Sequence, residues 1–384
     1  MRTVALVLGT RPEAVKLAPV HAALAASGRL RPTLVSTGQH REMLAPALAA
    51  FGLRAETDLG LMRPGQSLAE LAARVTAGVG AWIDSARPDA VLVQGDTTTV
   101  LGAAVACAHR RVPFGHVEAG LRTGDMGSPW PEEMNRRVTS VLARWHFCPT
   151  ADAADNLRRE GVPADRIHVT GNTVVDALLA SLSRARALAA GDVMARLGVP
   201  AGFARRFPQD PSARWALVTG HRRESFGEGF ERICRGLLAL VESRPDLGLL
   251  YPVHLNPAVQ EPVRRLLGGH PRIALVPPAD YLDFVWLMDR CAFVLTDSGG
   301  VQEEAPSLGK PVLVMREVTE RPEGVRAGTS VLVGTDPVRI VAESARLLDD
   351  PDELARRSRL PNPFGDGSSS ARIVRVMEAE LQVG

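Results

Sequence analysis

The feature that most constrains the fold is a repeated alternation between short apolar runs and longer segments with helical periodicity. The first example is the apolar run 3–8, followed by the glycine-containing stretch 9–13 and a helical segment over 14–26. Continuous Val- and Leu-rich runs are typical of strands that are buried on both faces of a parallel sheet. The alternation therefore predicts an α/β protein built from doubly wound, Rossmann-type sheets.

Length and rhythm together predict two domains. The 384 residues exceed the size at which a single hydrophobic core stops growing. The alternation pauses after residue 171, passes a loop-rich crossing over 200–212 and restarts near 215. We therefore expect an N-terminal domain over 1–171, completed by a C-terminal helix over 368–384, and a second domain over 172–367. Ligands of such sheets bind beyond the carboxyl ends of the strands, so the expected site is the cleft between the domains.

Composition argues against several classes of partner. A net charge of +2 and 4% aromatic residues give no basic or base-stacking surface for nucleic acid. The sequence has no apolar run of 18 residues, so we expect no membrane span. Its four cysteines are scattered without C-x-x-C spacing, which predicts buried thiols of a cytoplasmic protein rather than zinc ligands or disulfides.

The stretch 295–315 predicts an anion site. It consists of an apolar run, the turn Asp297-Ser-Gly-Gly, a helix over 301–308 and a second apolar run. Paired glycines allow close approach to a ligand and a positive φ, and a helix N-terminus attracts phosphate. A phosphate at Ser298, Gly299 and Gly300 would leave Glu304 near an attached ribose. The alternative is a structural glycine turn.

Candidate chemical groups in the first domain also follow the predicted strands. Arg11 is placed as a phosphate clamp with Lys16 one turn later, or else Arg11 is a surface residue beside a helix start. Three acidic residues at the ends of different predicted elements are further candidates: Asp96, Glu118 and Glu132. Asp96 could instead cap a helix, and Glu132 could simply favour a helix dipole. Crowded carboxylates are also able to act as acids and bases.

In the second domain, a histidine follows the first predicted strand. His221 lies beside Arg222 and Arg223, a grouping that suits polyphosphate binding or proton transfer. The alternative is a loop histidine with two solvated arginines. His254 is less clear and could be structural.

These stretches together resemble the non-hydrolysing UDP-N-acetylglucosamine 2-epimerase family. The matching motifs span nearly the whole chain: GTRPEAVKLAP, TGQHREML, QGDTTT, HVEAGLRT, PEEMNR, HRRES, YPVHLNP, DSGGVQEEAPSLGKPVLVMRE and TERPEGVRAGT. The resemblance implies a GT-B-like pair of Rossmann-type domains, a cytoplasmic homodimer, and no metal or nicotinamide cofactor. It also implies a role in cell-envelope polysaccharide biosynthesis.

The resemblance further assigns roles to residues. It implies acid–base chemistry at Asp96, Glu118 and Glu132, and a required histidine at His221. It places the UDP-sugar on the remaining candidates, which are Arg11, Lys16, Arg136, Arg222, Phe284, Ser298, Gly299, Gly300, Glu304 and Arg321. A second, allosteric UDP-N-acetylglucosamine is expected near Gln39, Glu42 and His254, although Glu42 and Gly65 replace polar or basic side chains of some regulated relatives.

The implied reaction is a reversible inversion at C2 of UDP-N-acetylglucosamine. The C1–O and C2–H bonds of the α-linked substrate are anti to each other, so UDP can be eliminated to give 2-acetamidoglucal. Re-addition of UDP with protonation of the opposite face of C2 gives UDP-N-acetylmannosamine. Two alternatives use similar groups: a GT-B glycosyltransferase and a hydrolysing 2-epimerase. A non-catalytic nucleotide-sugar sensor would not need the three carboxylates.

Overall fold

Two all-parallel sheets, one of seven strands and one of six, organise the computed structural model of the protein. It describes residues 1–39, 41–207 and 213–382, without the side chains of residues 41–43. The chain divides into unit 1, Met1–Ala180 with Phe364–Gly384, and unit 2, Ser181–Pro363. Both sheets are doubly wound, as the alternation of apolar runs and helices predicted.

Unit 1 contains the seven-stranded sheet, in the order β3-β2-β1-β4-β5-β6-β7. Its strands are β1 Arg2–Leu8, β2 Leu30–Ser36, β3 Thr57–Asp58, β4 Ala90–Gln94, β5 Phe114–Val117, β6 Trp145–Cys148 and β7 Ile167–Val169. Its helices begin with α1 Arg11–Ala26, α2 Arg41–Ala49, α3 Leu68–Ala86, α4 Thr98–Arg110, α5 Glu132–Leu142, α6 Ala151–Arg159 and α7 Thr173–Arg186. The last of these, α7, continues past Ala180 into unit 2.

Unit 2 contains the six-stranded sheet, in the order β10-β9-β8-β11-β12-β13. Two helices precede it, α8 Ala190–Arg196 and α9 Ala201–Arg206. Its strands are β8 Arg214–Thr219, β9 Leu247–Pro252, β10 Ile273–Val276, β11 Phe293–Thr296, β12 Val312–Val314 and β13 Ser330–Leu332. The helices between and after them are α10 Glu228–Ser243, α11 Pro257–Leu267, α12 Tyr281–Arg290, α13 Gly299–Glu304, α14 Pro322–Arg326, α15 Pro337–Asp349 and α16 Pro351–Ser358. The final helix, α17 Ser369–Glu380, returns to unit 1.

The unit boundaries differ from the expected ones by several residues. The sequence placed them after residues 171 and 367, whereas the structure places them after Ala180 and Pro363. The first half of α7, which carries the fully buried Val175 and Leu178, belongs to unit 1. Asp176 also accepts the backbone N–H groups of Ser369 and Ser370, at 3.2 and 2.7 Å.

Two segments differ from their predicted local structure. The crossing over 200–212 contains the helix α9, which buries Phe203 against the core, while residues 208–212 lie outside the description. The helix expected over 301–308 begins two residues earlier, and its second half is the 3₁₀ turn Ala305–Leu308. Gly299 and Gly300 therefore form the first turn of α13, and neither has a positive φ.

Two further observations bear on the expectations from composition. Within residues 1–39, 41–207 and 213–382, no helix combines the length and apolar character needed to cross a bilayer. The four cysteines, Cys107, Cys148, Cys234 and Cys291, are buried as free thiols, and burial raises the pKa of each thiol to about 12. They are therefore core residues, as predicted, and not nucleophiles at neutral pH.

Candidate functional sites of the two units

Each sheet has a switch point, where two neighbouring strands are followed by connections that run to opposite sides of the sheet. In unit 1 the switch point lies between β1 and β4, and in unit 2 it lies between β8 and β11. Ligands of open α/β sheets bind at these points, beyond the carboxyl ends of the strands. Most of the predicted site residues follow these strands or their neighbours.

Glu118 follows β5 and is a buried carboxylate of unit 1. It is 9% exposed and has a left-handed φ of 64°. Its Oε1 accepts hydrogen bonds from Lys16 and from Asn172 Nδ2, the latter at 2.9 Å, and its Oε2 accepts one from Gln94. These donors favour the carboxylate form of the side chain. The structure thus places Lys16 on a catalytic candidate, a contact that the sequence did not predict.

Asp96 lies two residues beyond β4 and is tied to α5. Its Oδ2 accepts hydrogen bonds from Nε and Nη2 of Arg136, at 2.9 and 2.7 Å, and its backbone carbonyl accepts one from Asn135. Its other oxygen, Oδ1, makes no hydrogen bond within the described residues. The helix-cap alternative for Asp96 is wrong, because Thr97 is the N-cap of α4.

The two acidic residues that open α5 have different environments. Glu133 is fully buried and accepts N–H groups of Thr123 and Gly124 and a guanidinium N–H of Arg136, so its role is structural. Glu132 is half-buried and lies one helical turn before Arg136. Residues four apart share a helix face, so Glu132 is on the side of α5 that faces Asp96.

Glu13 is a buried carboxylate that the sequence analysis did not select. Its Oε2 accepts the N–H groups of Gly9 and Thr10, at 2.6 and 2.9 Å, and its Oε1 accepts the hydroxyl of Thr97 at 2.6 Å. Burial raises the pKa of Glu13, against the lowering effect of these hydrogen bonds. The contacts fasten the loop before Arg11 to the loop that carries Asp96.

The expected allosteric residues of unit 1 are only partly described. Gln39 is half-buried, and its Oε1 accepts the hydroxyl of Thr99 at 2.7 Å. Gln39 therefore contacts the first turn of α4, close to the β1–β4 switch point. Glu42 belongs to α2, but its side chain lies outside the description.

In unit 2, Asp297 fastens the loops that follow β8 and β11. Its Oδ2 accepts the backbone N–H groups of His221 and Arg222, at 2.7 and 2.8 Å, and its Oδ1 lies 3.3 Å from Nδ1 of His221. Burial lowers the pKa of His221, although the Asp297 charge opposes this effect. Asp297 is fully buried and was predicted only as part of a turn.

His254 is stacked on His221, with ring centroids 5.5 Å apart and an interplanar angle of 23°. It is exposed, and its Nδ1 accepts the N–H of Asn256. Within unit 2, His254 thus belongs to the same loop cluster as His221.

Two arginines converge on the first turn of α13. A Cβ added at Gly299 would lie 3.4 Å from Cζ of Arg321 and 3.6 Å from Nη2 of Arg222. These are van der Waals distances, so both guanidinium groups lie directly beside the backbone of Gly299. Arg321 also donates a hydrogen bond to Glu303 at 2.7 Å. The two cations and the backbone of Gly299 between them form an arrangement suited to a phosphate group.

Glu304 is the last residue of the same helix, one turn after Gly300, where it is suited to contact a second group of a ligand. Its Oε1 lies 3.5 Å from the hydroxyl of Tyr281, and its Oε2 lies 3.9 Å from a Cβ added at Gly300. Phe284 is half-buried on α12, one turn after Tyr281. Residues three apart share a helix face, so Phe284 lies on the face of α12 from which Tyr281 contacts Glu304. Among the described side chains, no group of three His, Cys, Asp or Glu is arranged to hold a metal ion.

Two doubly wound units, one with a cluster of carboxylates and one with an arginine-flanked glycine turn, place the chain in the GT-B-like class. Comparison with known proteins narrows the class. A family profile described as UDP-N-acetylglucosamine 2-epimerase matches residues 22–378. A probable UDP-N-acetylglucosamine 2-epimerase of Ralstonia solanacearum is 52% identical over 379 residues, which cover 99% of each chain.

Two further relatives agree with this match. The UDP-N-acetylglucosamine 2-epimerase of Escherichia coli K12 is 50% identical over 373 residues, 97% of each chain. The crystal structure of the Neisseria meningitidis enzyme bound to UDP-GlcNAc has a TM-score of 0.89 and 42% identity, and the match covers 99% of this chain and 100% of that one. The protein belongs to the non-hydrolysing UDP-N-acetylglucosamine 2-epimerase family.

Proposed function

We propose that the protein interconverts UDP-N-acetylglucosamine and UDP-N-acetylmannosamine by inverting C2 of the sugar. The observation that carries this proposal is Glu118, a buried carboxylate held by Lys16, Gln94 and Asn172 beside the loop of Asp96. A Cβ added at Gly95 would lie 3.9 Å from Oε2 of Glu118, so the loop that carries Asp96 lies beside that carboxylate. Family membership supplies the substrate class.

The residues of unit 2 support binding of the nucleotide. Arg222 and Arg321 flank Gly299, where a pyrophosphate would receive charge-assisted hydrogen bonds. Glu304 would accept hydrogen bonds from the ribose hydroxyls, and Phe284 would contact the uracil. His221 would donate a hydrogen bond to the pyrophosphate as it leaves C1, and Arg11 of unit 1 would add a positive charge. Ser298 and Gly300 would add donors from the same turn.

The residues of unit 1 support proton transfer at C2. One of the two carboxylates, Asp96 or Glu118, removes the C2 proton while the C1–O bond breaks and its electron pair leaves with UDP. The other protonates the opposite face of the 2-acetamidoglucal as UDP returns to C1. Two acid–base groups are needed because inversion requires removal and delivery on different faces. Glu132 supports this step from the face of α5 shared with Arg136.

Three accompanying features belong to the same proposal. The protein acts as a cytoplasmic homodimer without a cofactor, and its product serves cell-envelope polysaccharide synthesis. A second UDP-N-acetylglucosamine acts as an activator near Gln39, Glu42 and His254. The contact of Gln39 with Thr99 would connect that ligand to the helix that follows Asp96.

Incubation of the purified protein with UDP-N-acetylglucosamine alone, followed by proton NMR, tests the function. We expect the anomeric signal of UDP-N-acetylmannosamine to appear and reach equilibrium with that of the substrate. Free N-acetylmannosamine would instead indicate a hydrolysing enzyme. No change without an acceptor sugar would favour a glycosyltransferase, and no change under any condition would favour a binding protein.

A further inference from the structure

Asn172 connects the carboxylate of Glu118 to the chain segment that enters α7. It is 1% exposed, its Nδ2 donates to Oε1 of Glu118 at 2.9 Å, and its Oδ1 accepts the N–H of Val174 at 3.1 Å. The orientation of the amide is unambiguous, because a carboxylate needs a donor and an N–H needs an acceptor. Both ends of the side chain are therefore fixed.

The backbone of Asn172 is fixed as well, by the segment that re-enters unit 1. Its N–H donates to the carbonyl of Phe364 at 2.7 Å. Gly171 has a φ of 89°, and a Cβ added there would lie 2.6 Å from Oγ of Ser369. A Cβ added at Gly365 would lie 3.4 Å from the nitrogen of Asn172. The outgoing and returning segments are thus in close contact at the residue that touches Glu118.

The three donors to Glu118 differ in how firmly they are held. Lys16 reaches the carboxylate on a flexible four-carbon chain, whereas Asn172 has a short side chain anchored at its amide oxygen and its backbone N–H. A short donor anchored at two points restricts the torsions of its acceptor more than a side chain with four rotatable bonds. Glu118 needs this restriction, since proton transfer is sensitive to displacements of about 1 Å.

We propose that Asn172 is a positioning residue, which orients the carboxylate of Glu118 and holds it at the junction of the outgoing and returning segments. The inference rests on the proposed function, because it gives Glu118 a proton-transfer role. It predicts that loss of the amide donor slows the chemical step while leaving nucleotide binding intact, since no described contact joins Asn172 to unit 2.

The test is the substitution Asn172→Asp, which keeps the size of the side chain and the acceptor for Val174 but replaces the donor to Glu118 by an oxygen. We expect kcat for epimerisation, measured by NMR, to fall about 10- to 100-fold, as for loss of one hydrogen bond to a charged group. The Kd for UDP, measured by calorimetry, should stay within about threefold. Asn172→Ala removes the donor without adding charge and should give the same pattern.

The matched control is Asp176→Asn, which weakens the contact of the same two segments without touching Glu118. Asp176 accepts the N–H groups of Ser369 and Ser370, so its substitution should lower the unfolding temperature. We expect its kcat to remain within about threefold of the native value. If Asn172 were purely structural, its variants and the control would instead lose kcat in the same proportion to the stability that they lose.

The outcomes separate this inference from the proposed function. Native protein that does not epimerise UDP-N-acetylglucosamine would refute the proposed function. Active native protein together with a folded Asn172→Asp or Asn172→Ala variant of native kcat would overturn the positioning role alone. If Asn172→Asp does not fold, Asn172→Ala decides by the same two measurements.

Discussion

Glu118 and Asp96 differ in how many of their carboxylate oxygens accept hydrogen bonds within the described residues. Both oxygens of Glu118 accept hydrogen bonds, whereas Oδ1 of Asp96 makes none within the described residues. A carboxylate with unfilled acceptor capacity favours ligand donors such as sugar hydroxyls. Oδ1 of Asp96 is therefore suited to direct ligand contact.

Glu304→Ala should weaken UDP binding, because ribose hydroxyls would lose a charged acceptor. A hydrogen bond to a charged group contributes about 1.5–3 kcal/mol, so we expect Kd to rise about 10- to 100-fold. Isothermal titration calorimetry with UDP measures this directly.

The control for that measurement is Glu261→Ala on α11, whose side chain is 68% exposed. Its Kd for UDP should be native, because an exposed ion pair with Arg265 contributes little. Equal affinities of the Glu304 variant and the control would remove Glu304 from the nucleotide site.

His116 predicts a loss of stability in acid. It is fully buried on β5 with Nε2 hydrogen-bonded to the carbonyl of Gly95 at 2.7 Å, and burial lowers its pKa from 6.5 to about 3. Between these values the unfolded chain binds a proton that the folded chain does not. Stability therefore falls as the pH decreases from 6.5 toward 3.

The variant His116→Gln isolates this contribution, because glutamine keeps a donor for Gly95 and does not titrate. Between pH 7 and pH 5, the native protein should lose about 2 kcal/mol more free energy of unfolding than the variant. Urea unfolding at the two pH values measures the difference. Other buried groups such as Glu13 are present in both proteins, so equal losses would contradict the assignment to His116.

At the scale of elements, the two units fasten their switch points in the same way. In unit 1, the carboxylate of Glu13 joins the loops after β1 and β4 through Gly9, Thr10 and Thr97. In unit 2, Asp297 joins the loops after β8 and β11 through the backbone of His221 and its neighbour. A buried carboxylate that accepts several N–H groups stabilises both loops in one geometry.

The loop after β5 depends on a close contact with α6. Gly120 has a φ of 88°, and a Cβ added there would lie 2.2 Å from the carbonyl oxygen of Ala153. Gly120→Ala therefore combines backbone strain with a clash against a main-chain atom. We expect a loss of about 3 kcal/mol or more in the free energy of unfolding, measured with urea.

Gly191→Ala is the matched control for this substitution. Gly191 lies in α8 with no atom within 4 Å of an added Cβ. Alanine has a higher helix propensity than glycine. This change should therefore leave the free energy of unfolding unchanged or raise it by up to about 1 kcal/mol. Similar losses in both glycine variants would contradict a steric requirement at Gly120.

Sequence predicted the elements well where an apolar run carried the signal. Strands such as β4 and β11 are continuous apolar runs, and Ser67 with Glu70 forms the capping box that begins α3. It missed α6, β7 and α16, which are short, and α6 and α16 are rich in charged residues. Short polar helices have no long apolar face that a sequence pattern could reveal. They form because packing against neighbouring elements stabilises them.

The candidate sites were predicted through strand ends, and what sequence missed was contacts between distant residues. Motifs named Asp96, Glu118 and the Gly299 turn, and their strands place them at the expected edges. Nothing local shows that Lys16 contacts Glu118, a pairing across 102 positions. Asn172 and Asp297 were missed for the same reason, although Asp297 follows the apolar run of β11, a position that could have drawn attention to it.

At the scale of the whole molecule, the proposed elimination draws its residues from both units. Apart from Arg11, the residues proposed above to hold UDP belong to unit 2, whereas the carboxylates proposed for proton transfer belong to unit 1. UDP is then both leaving group and returning nucleophile, so it must remain bound while the sugar is unsaturated. This requirement distinguishes elimination from oxidation at the sugar, in which C1–O stays intact.

Isotopes test that requirement in the complete protein. In D2O, the product should carry deuterium at C2, because carboxylates exchange the abstracted proton with solvent before the return step. Oxygen-18 placed in the C1–O bridge should move into non-bridging β-phosphate oxygens as bound UDP turns. Mass spectrometry and phosphorus NMR measure the two labels.

Substitution of the carboxylates ties these labels to named groups. Asp96→Asn and Glu118→Gln should each reduce C2 deuteration by at least about 100-fold, since general acid–base groups contribute about that factor or more. Their Kd for UDP should stay near native, because neither side chain belongs to the nucleotide-binding set in unit 2. If the native protein epimerises the sugar without deuterium at C2 and without transfer of oxygen-18 to the β-phosphate, elimination is excluded. Both exchanges require the C1–O and C2–H bonds to break.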